Sequence, residues 1–257
     1  MPVTTDNPFD GGTTKYQLNL IYLVDTSGSM TGEPINQLNA AMGEAFTVAE
    51  EAANEHEVQL FIRVVEFNSV AHWIIGATEN GVDPKQKPDG HLHWEPLTAN
   101  GGTDTAGAID MAASVMHRKY LGERNYRPVV ILITDGQSND PQRTVEAVAR
   151  LKSSLKSSSD PTKDKIIRIA IGVKDANQTE LTNFASRGNI ERPNGTIDEN
   201  VPLVFNVDDV ALLKGLLRGV TVSSIASSVG DGDVEDPNGN GGTVVIDPEP
   251  GGGAWEE

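Results

Sequence analysis

The sequence predicts a mostly parallel α/β sheet with helices on both faces and one antiparallel strand at its edge. Short, nearly continuous runs rich in Val and Ile alternate with segments of helical periodicity along the 257 residues. Four runs carry the main strands: LNLIYLV at 18–24, VQLFIRVVEF at 58–67, PVVILIT at 128–134 and KIIRIAIGV at 165–173. Runs this short and this apolar read as strands covered on both sides. Between the first two, Ile35, Leu38, Met42, Phe46 and Ala49 recur at three- and four-residue steps, which predicts a helix over 33–54 with one buried stripe. Similar patterns predict helices over 104–120, 141–155, 177–186 and 207–220; the second of these starts with Asp140 followed by Pro141, a good helix opening. AHWIIG at 71–76 follows the second strand after three residues, too few for a parallel crossover, so it predicts an antiparallel return. VPLVFNV at 201–207 predicts the last strand, and 76–102 reads as a long loop with room for one short strand.

Composition sets the domain plan. Residues 1–15 read as a flexible N-terminus, 16–222 as one folded domain and 223–257 as an acidic, Gly/Pro-rich disordered tail. From Gly230 onward there are eight acids and no Lys or Arg, nearly half of the net charge of −17. That balance argues against a nucleic-acid or anionic-membrane surface, since phosphate binding needs clustered cations. Cationic partners and metal ions suit it better. With no cysteine, disulfides, thiolate metal sites and cysteine nucleophiles are excluded. No run approaches the roughly 18–20 apolar residues of a membrane span, and the first residues lack a basic, then apolar, leader pattern. A soluble, unexported, cytoplasmic protein is expected.

Chemistry concentrates in three polar clusters. Asp25, Ser27 and Ser29 follow the first buried strand at alternate positions, a spacing that lets one carboxylate and two hydroxyls converge. NGGTDT at 100–105 places Thr103 at a loop-to-helix junction behind two glycines. ITDGQSND at 133–140 places Asp135 at the carboxyl end of another buried strand. Ligands of such sheets sit beyond the carboxyl ends of the strands. Two Ser, one Thr and two Asp form an all-oxygen donor set, which suits a hard cation such as Mg²⁺ or Mn²⁺ and leaves room for an outside ligand.

DTSGSM, GGTDT and TDG resemble the three loops of the metal-ion-dependent adhesion site in von Willebrand factor type A domains, with similar element order across 17–220. The resemblance implies a Rossmann-like, doubly wound sandwich binding Mg²⁺, with Mn²⁺ or Ca²⁺ as alternatives. It further implies Ser27, Ser29 and Thr103 as direct ligands, with Asp25 and Asp135 acting directly or through water, and a protein partner whose Asp or Glu completes the metal shell. The absence of cysteine and of a leader resembles the intracellular bacterial branch, including TerY-like proteins associated with tellurium resistance, whose members often act as adaptors.

Other readings of the same residues compete with this one. A polar turn would also place Asp and Ser after a strand. An aspartic-protease loop would need two aspartates sharing a proton on β-rich lobes. A serine nucleophile would need a base, yet none of the five histidines lies in a strand-end motif. His91 and His93 read as a loop or edge-strand face rather than a metal pair, and Asp104 and Asp140 as helix caps. The rival function is a metal-dependent phosphoester hydrolase or phosphotransfer enzyme using the same ion as a Lewis acid. A non-enzymatic, Mg²⁺-dependent interaction module is the expected function.

Overall fold

A computed structural model describes residues 16–76, 91–121, 125–155, 165–191, 196–209, 212–230 and 243–245. The expected flexible N-terminus, the 77–90 part of the long loop and most of the acidic tail lie outside these.

Strand β1 (Gln17–Asp25) shows why the central sheet forms. Leu18, Leu20, Tyr22 and Val24 enter one core while Ile21 and Leu23 enter another, so alternate side chains need a covering layer on each side. Helix α1 (Glu33–Glu55) covers the first face with Leu38, Met42, Phe46 and Ala49. Strands β2 (Gln59–Phe67) and β3 (Ala71–Ile75) pair antiparallel, as the short connection predicts. Helices α2 (Thr105–Ser114) and α3 (Arg118–Leu121) follow, in place of the single helix expected over 104–120. The ladder breaks after Ser114, where Val115 and Met116 turn inward to the second core. Strand β4 (Val129–Thr134), α4 (Pro141–Ser154), β5 (Ile167–Val173) and α5 (Gln178–Phe184) complete the second half, with α2 and α4 covering the second face.

The chain then departs from expectation. The run at 201–207 is two strands, β7 (Ile197–Pro202) and β8 (Val204–Val207), separated at Leu203. Only β8 joins the main sheet, whose order is β3-β2-β1-β4-β5-β8 with all neighbours parallel except β2 and β3. Strand β7 pairs with β6 (Arg187–Glu191) in a second sheet, completed by β9 (Thr243–Val245). Helix α6 (Leu213–Gly230) starts later than the 207 predicted and crosses the boundary set at 222. It packs on α1 through Leu213, Leu217 and Val220, and Val220 is followed by the fully buried Thr221. The Thr221 hydroxyl lies 3.1 Å from that of buried Tyr22, which ties α6 to β1. Tyr22→Phe is expected to cost about 1–2 kcal/mol in a urea melt, because it leaves a buried hydroxyl without its partner.

Candidate metal centre

Strands β1 and β4 are neighbours, but the chain leaves them in opposite directions, β1 through α1 to β2 and β4 through α4 to β5. Their carboxyl ends therefore border a crevice that no connection crosses. Asp25 ends β1, and Asp135 directly follows β4. Asp25 is fully buried: its Oδ1 accepts from the Ser27 backbone N–H at 2.8 Å and its Oδ2 from Thr134 Oγ1 at 2.5 Å. Extended backbone at Ser27, followed by a 3₁₀ turn over Gly28–Met30, brings the two serine hydroxyls within 3.0 Å of each other. Ser29 Oγ in turn donates to Asp135 Oδ1 at 2.7 Å.

Thr103 arrives on a loop stitched down from both sides. The segment from His91 is laid along α1: His91 Nδ1 lies 2.7 Å from Glu50 Oε2, and Trp94 Nε1 donates to Asn39 Oδ1 at 3.0 Å. His91 thus binds a carboxylate of α1, away from the strand-end cluster, and 91–100 holds no strand. Asn100 N–H then donates to Thr26 O at 2.8 Å, Gly28 N–H to Gly101 O at 3.0 Å, and Asn139 N–H to Thr103 O at 3.0 Å. Gly102 N–H donates to Ser69 Oγ at 2.9 Å. Glycine is required at 101, where φ is +76° and a Cβ would stand 2.6 Å from that same Ser69 Oγ.

Gly136 reveals where these oxygens point. A Cβ built on it would stand 3.6 Å from Thr103 Oγ1 and 3.7 Å from both Asp25 Oδ2 and Ser29 Oγ. Oxygens from two loops distant in sequence, the one holding Asp25 and Ser29 and the one holding Thr103, therefore lie around one small space that a glycine of the third loop leaves open. Among the described residues no three His, Asp or Glu side chains group as metal ligands, so this cluster depends on its hydroxyls for most of its donors. Burial pushes the Asp25 carboxyl up to about 6, against the hydrogen bonds from Thr134 and Ser27, with the Asp135 charge adding to the rise. Asp135 is raised too, chiefly by burial, while its Ser29 hydrogen bond and the Lys174 charge oppose the rise. Two carboxylates held above their ordinary range beside inward-facing hydroxyls fit a divalent cation, which would favour both ionised forms.

All five residues singled out in the sequence, Asp25, Ser27, Ser29, Thr103 and Asp135, thus lie at one edge of the sheet. Asp104 and Asp140 cap α2 and α4, accepting from Gly107 and Arg143 backbone N–H groups at 3.0 Å each. Sequence reasoning missed Thr134, whose hydroxyl donates to Asp25 and accepts from Gly136 N–H at 3.1 Å. Its place directly before Asp135 was the available signal. It also missed Glu180 of α5, whose Oε2 accepts from Ser138 N–H at 3.1 Å and so ties the Asp135 loop to that helix.

The family model for the von Willebrand factor type A domain matches residues 19–218. The chain belongs to this family. No curated protein sequence matches it. Among solved structures, this VWA chain is similar to a von Willebrand factor type A protein from Catenulispora acidiphila, at 19% identity and TM-score 0.57, covering 82% of this chain and 43% of that one. It is also similar to proximal thread matrix protein 1 from the mussel byssus, described with a zinc-occupied MIDAS motif, at 16% identity and TM-score 0.53 over 82% and 46% of the two chains. A third is the ArnB paralog VWA2 from Sulfolobus acidocaldarius, at 16% identity and TM-score 0.51 over 80% and 46%. The chain spans less than half the length of each of these structures. At these identities the likeness establishes the fold: a mixed α/β, mostly parallel sheet with one antiparallel strand.

Proposed function

We propose that this VWA domain is a non-enzymatic, Mg²⁺-dependent protein-binding module. The convergence of Thr103, Asp25 and Ser29 oxygens on the space beside Gly136 carries the reading. Asp25, Ser27, Ser29, Thr103 and Asp135 would hold the ion; Mn²⁺ and Ca²⁺ suit the same donors, and the zinc described for the mussel protein supports divalent binding in the family. Once bound, the ion offers a coordination position to an Asp or Glu from a partner protein. Ser29 lies at the exposed end of the cluster, so an incoming carboxylate approaches from its side, while Asp25, Ser27 and Thr103 are buried behind it.

Support for a binding rather than a catalytic role comes from the serines. Ser27 and Ser29 share a hydrogen bond and Ser29 donates to Asp135, and neither hydroxyl bonds a histidine or lysine among the described residues. The net charge of −17 favours a metal-bridged protein contact over nucleic acid or an anionic membrane. No described helix is long and apolar enough to cross a membrane. We further propose a cytoplasmic adaptor role of the TerY-like kind, which the IYLVDTSGSMTGEPI opening and the cysteine-free composition support.

The test is capture of proteins from bacterial lysate with Mg²⁺ or with EDTA. Proteins retained with Mg²⁺ should be released by EDTA and absent from Ser27→Ala beads, while that variant melts as the parent does. Equal capture by Ser27→Ala in EDTA would refute the proposal. Phosphoester turnover lost in Asp135→Ala would replace it with the enzymatic reading.

A further inference from the structure

The second sheet has an architecture that the metal-centred reading does not use. Its β6–β7 hairpin is rooted at the amino end of β5: Ser186 N–H donates to Arg168 O and Leu203 N–H to Ser186 O, both at 2.8 Å. Asp135 lies at the carboxyl end of the neighbouring strand β4, so hairpin and metal centre sit at opposite ends of the main sheet. Within the second sheet β6 is the middle strand. On one side it pairs antiparallel with β7, reinforced by Asn200 N–H donating to Asn189 Oδ1 at 3.0 Å. Among the described residues its other side is closed by β9, parallel, with Asn189 opposite Thr243, Ile190 opposite Val244 and Glu191 opposite Val245.

Strand β9 does not belong to the hairpin. It comes from the segment after α6, separated from Gly230 by twelve residues, and lies against α6. Without it the outer N–H and C=O groups of β6 would be an open template for another strand. Three residues supply only a short ladder, and isolated pairings of that size are marginal in water. Besides this short ladder and its contact with α6, the strand is favoured by being part of the same chain, which makes its pairing intramolecular. A three-residue ladder is one that a longer extended segment, pairing over more of β6, can displace.

We propose that the outer edge of β6 is a strand-addition site, and that this chain's own Thr243–Val245 is its resident, displaceable occupant. The ligand class is an extended segment with consecutive β-branched residues, paired in parallel through main-chain hydrogen bonds. The domain then has two binding ends, one selective for carboxylates and one for strands.

Full-length parent, Val244→Pro and Val244→Gly proteins test this against a fluorescein-labelled peptide of residues 241–249, GGTVVIDPE. Proline at 244 disfavours the strand by fixing φ and removing an amide N–H, and glycine weakens it while keeping the amide. The peptide should bind Val244→Pro at least tenfold more tightly than the parent, with Val244→Gly between them. Amide exchange at 188–191 should accelerate in Val244→Pro and slow again with peptide. Equal binding to all three proteins, binding to none, or unchanged exchange in Val244→Pro would overturn the proposal. A parent dimer that Val244→Pro dissolves would assign the edge to a second copy's strand and overturn the intramolecular occupant.

Discussion

At pH 7 without divalent cations, Asp25→Asn is expected to be more stable than the parent, by up to about 3 kcal/mol. Burial raises the Asp25 carboxyl from 3.8 to about 6, so the metal-free fold at neutral pH carries an ionised group that it disfavours. Each unit is worth about 1.4 kcal/mol, which sets the magnitude. The sign follows from proton binding. Folded Asp25 keeps its proton up to about pH 6 whereas the unfolded chain releases it near 3.8. The contribution to stability is therefore full below about pH 4 and is lost as pH rises through 6. Thermal melts from pH 4 to 8 should show the two proteins converging at the acid end and separating above about 6. Millimolar Mg²⁺ should reverse their order at pH 7, raising the parent's melting temperature and leaving Asp25→Asn unmoved. An Asp25→Asn protein that melts with the parent at pH 7, or that gains equally from Mg²⁺, would contradict this account.

Gly136→Ala should separate metal binding from folding. The added methyl would sit 3.6–3.7 Å from Thr103 Oγ1, Asp25 Oδ2 and Ser29 Oγ, ordinary contact distances, and Gly136 is not in the left-handed region. The fold therefore tolerates the change, and the loss of chain entropy from the unfolded state stabilises it by about 0.4–1 kcal/mol. The same methyl fills the space on which the three oxygens converge. Calorimetric Mg²⁺ affinity should fall about 100-fold, roughly 2.7 kcal/mol, while the melting temperature holds or rises. Retained affinity would mean that the ion is bound elsewhere than in this space.

Most of the main sheet was legible because its strands are buried on both faces, and double burial leaves an apolar run that nothing else in the chain imitates. Strands β6 and β7 were not. Arg187, Asn189 and Glu191 alternate with Gly188 and Ile190, and β7 reads IDENVP, so neither has the continuous apolar signature. The boundary of α6 was missed for a related reason. Past Val220 the helix continues through Thr221, Ser223 and Ser224, small polar residues that are buried, so the hydrophobic periodicity fades.

By itself the sequence determined the donor chemistry. D-x-S-x-S after a strand, a threonine behind two glycines and an aspartate ending a strand are local patterns, each set by neighbouring residues. Only the tertiary structure decided that their oxygens face one space. That depends on β1 and β4 being adjacent and on backbone hydrogen bonds from Gly28, Asn100 and Asn139 that seat the Thr103 loop, contacts between residues tens of positions apart. It also decided the state of Asp25, since burial raises a carboxyl's pKa and burial is a property of the packed molecule rather than of any short run.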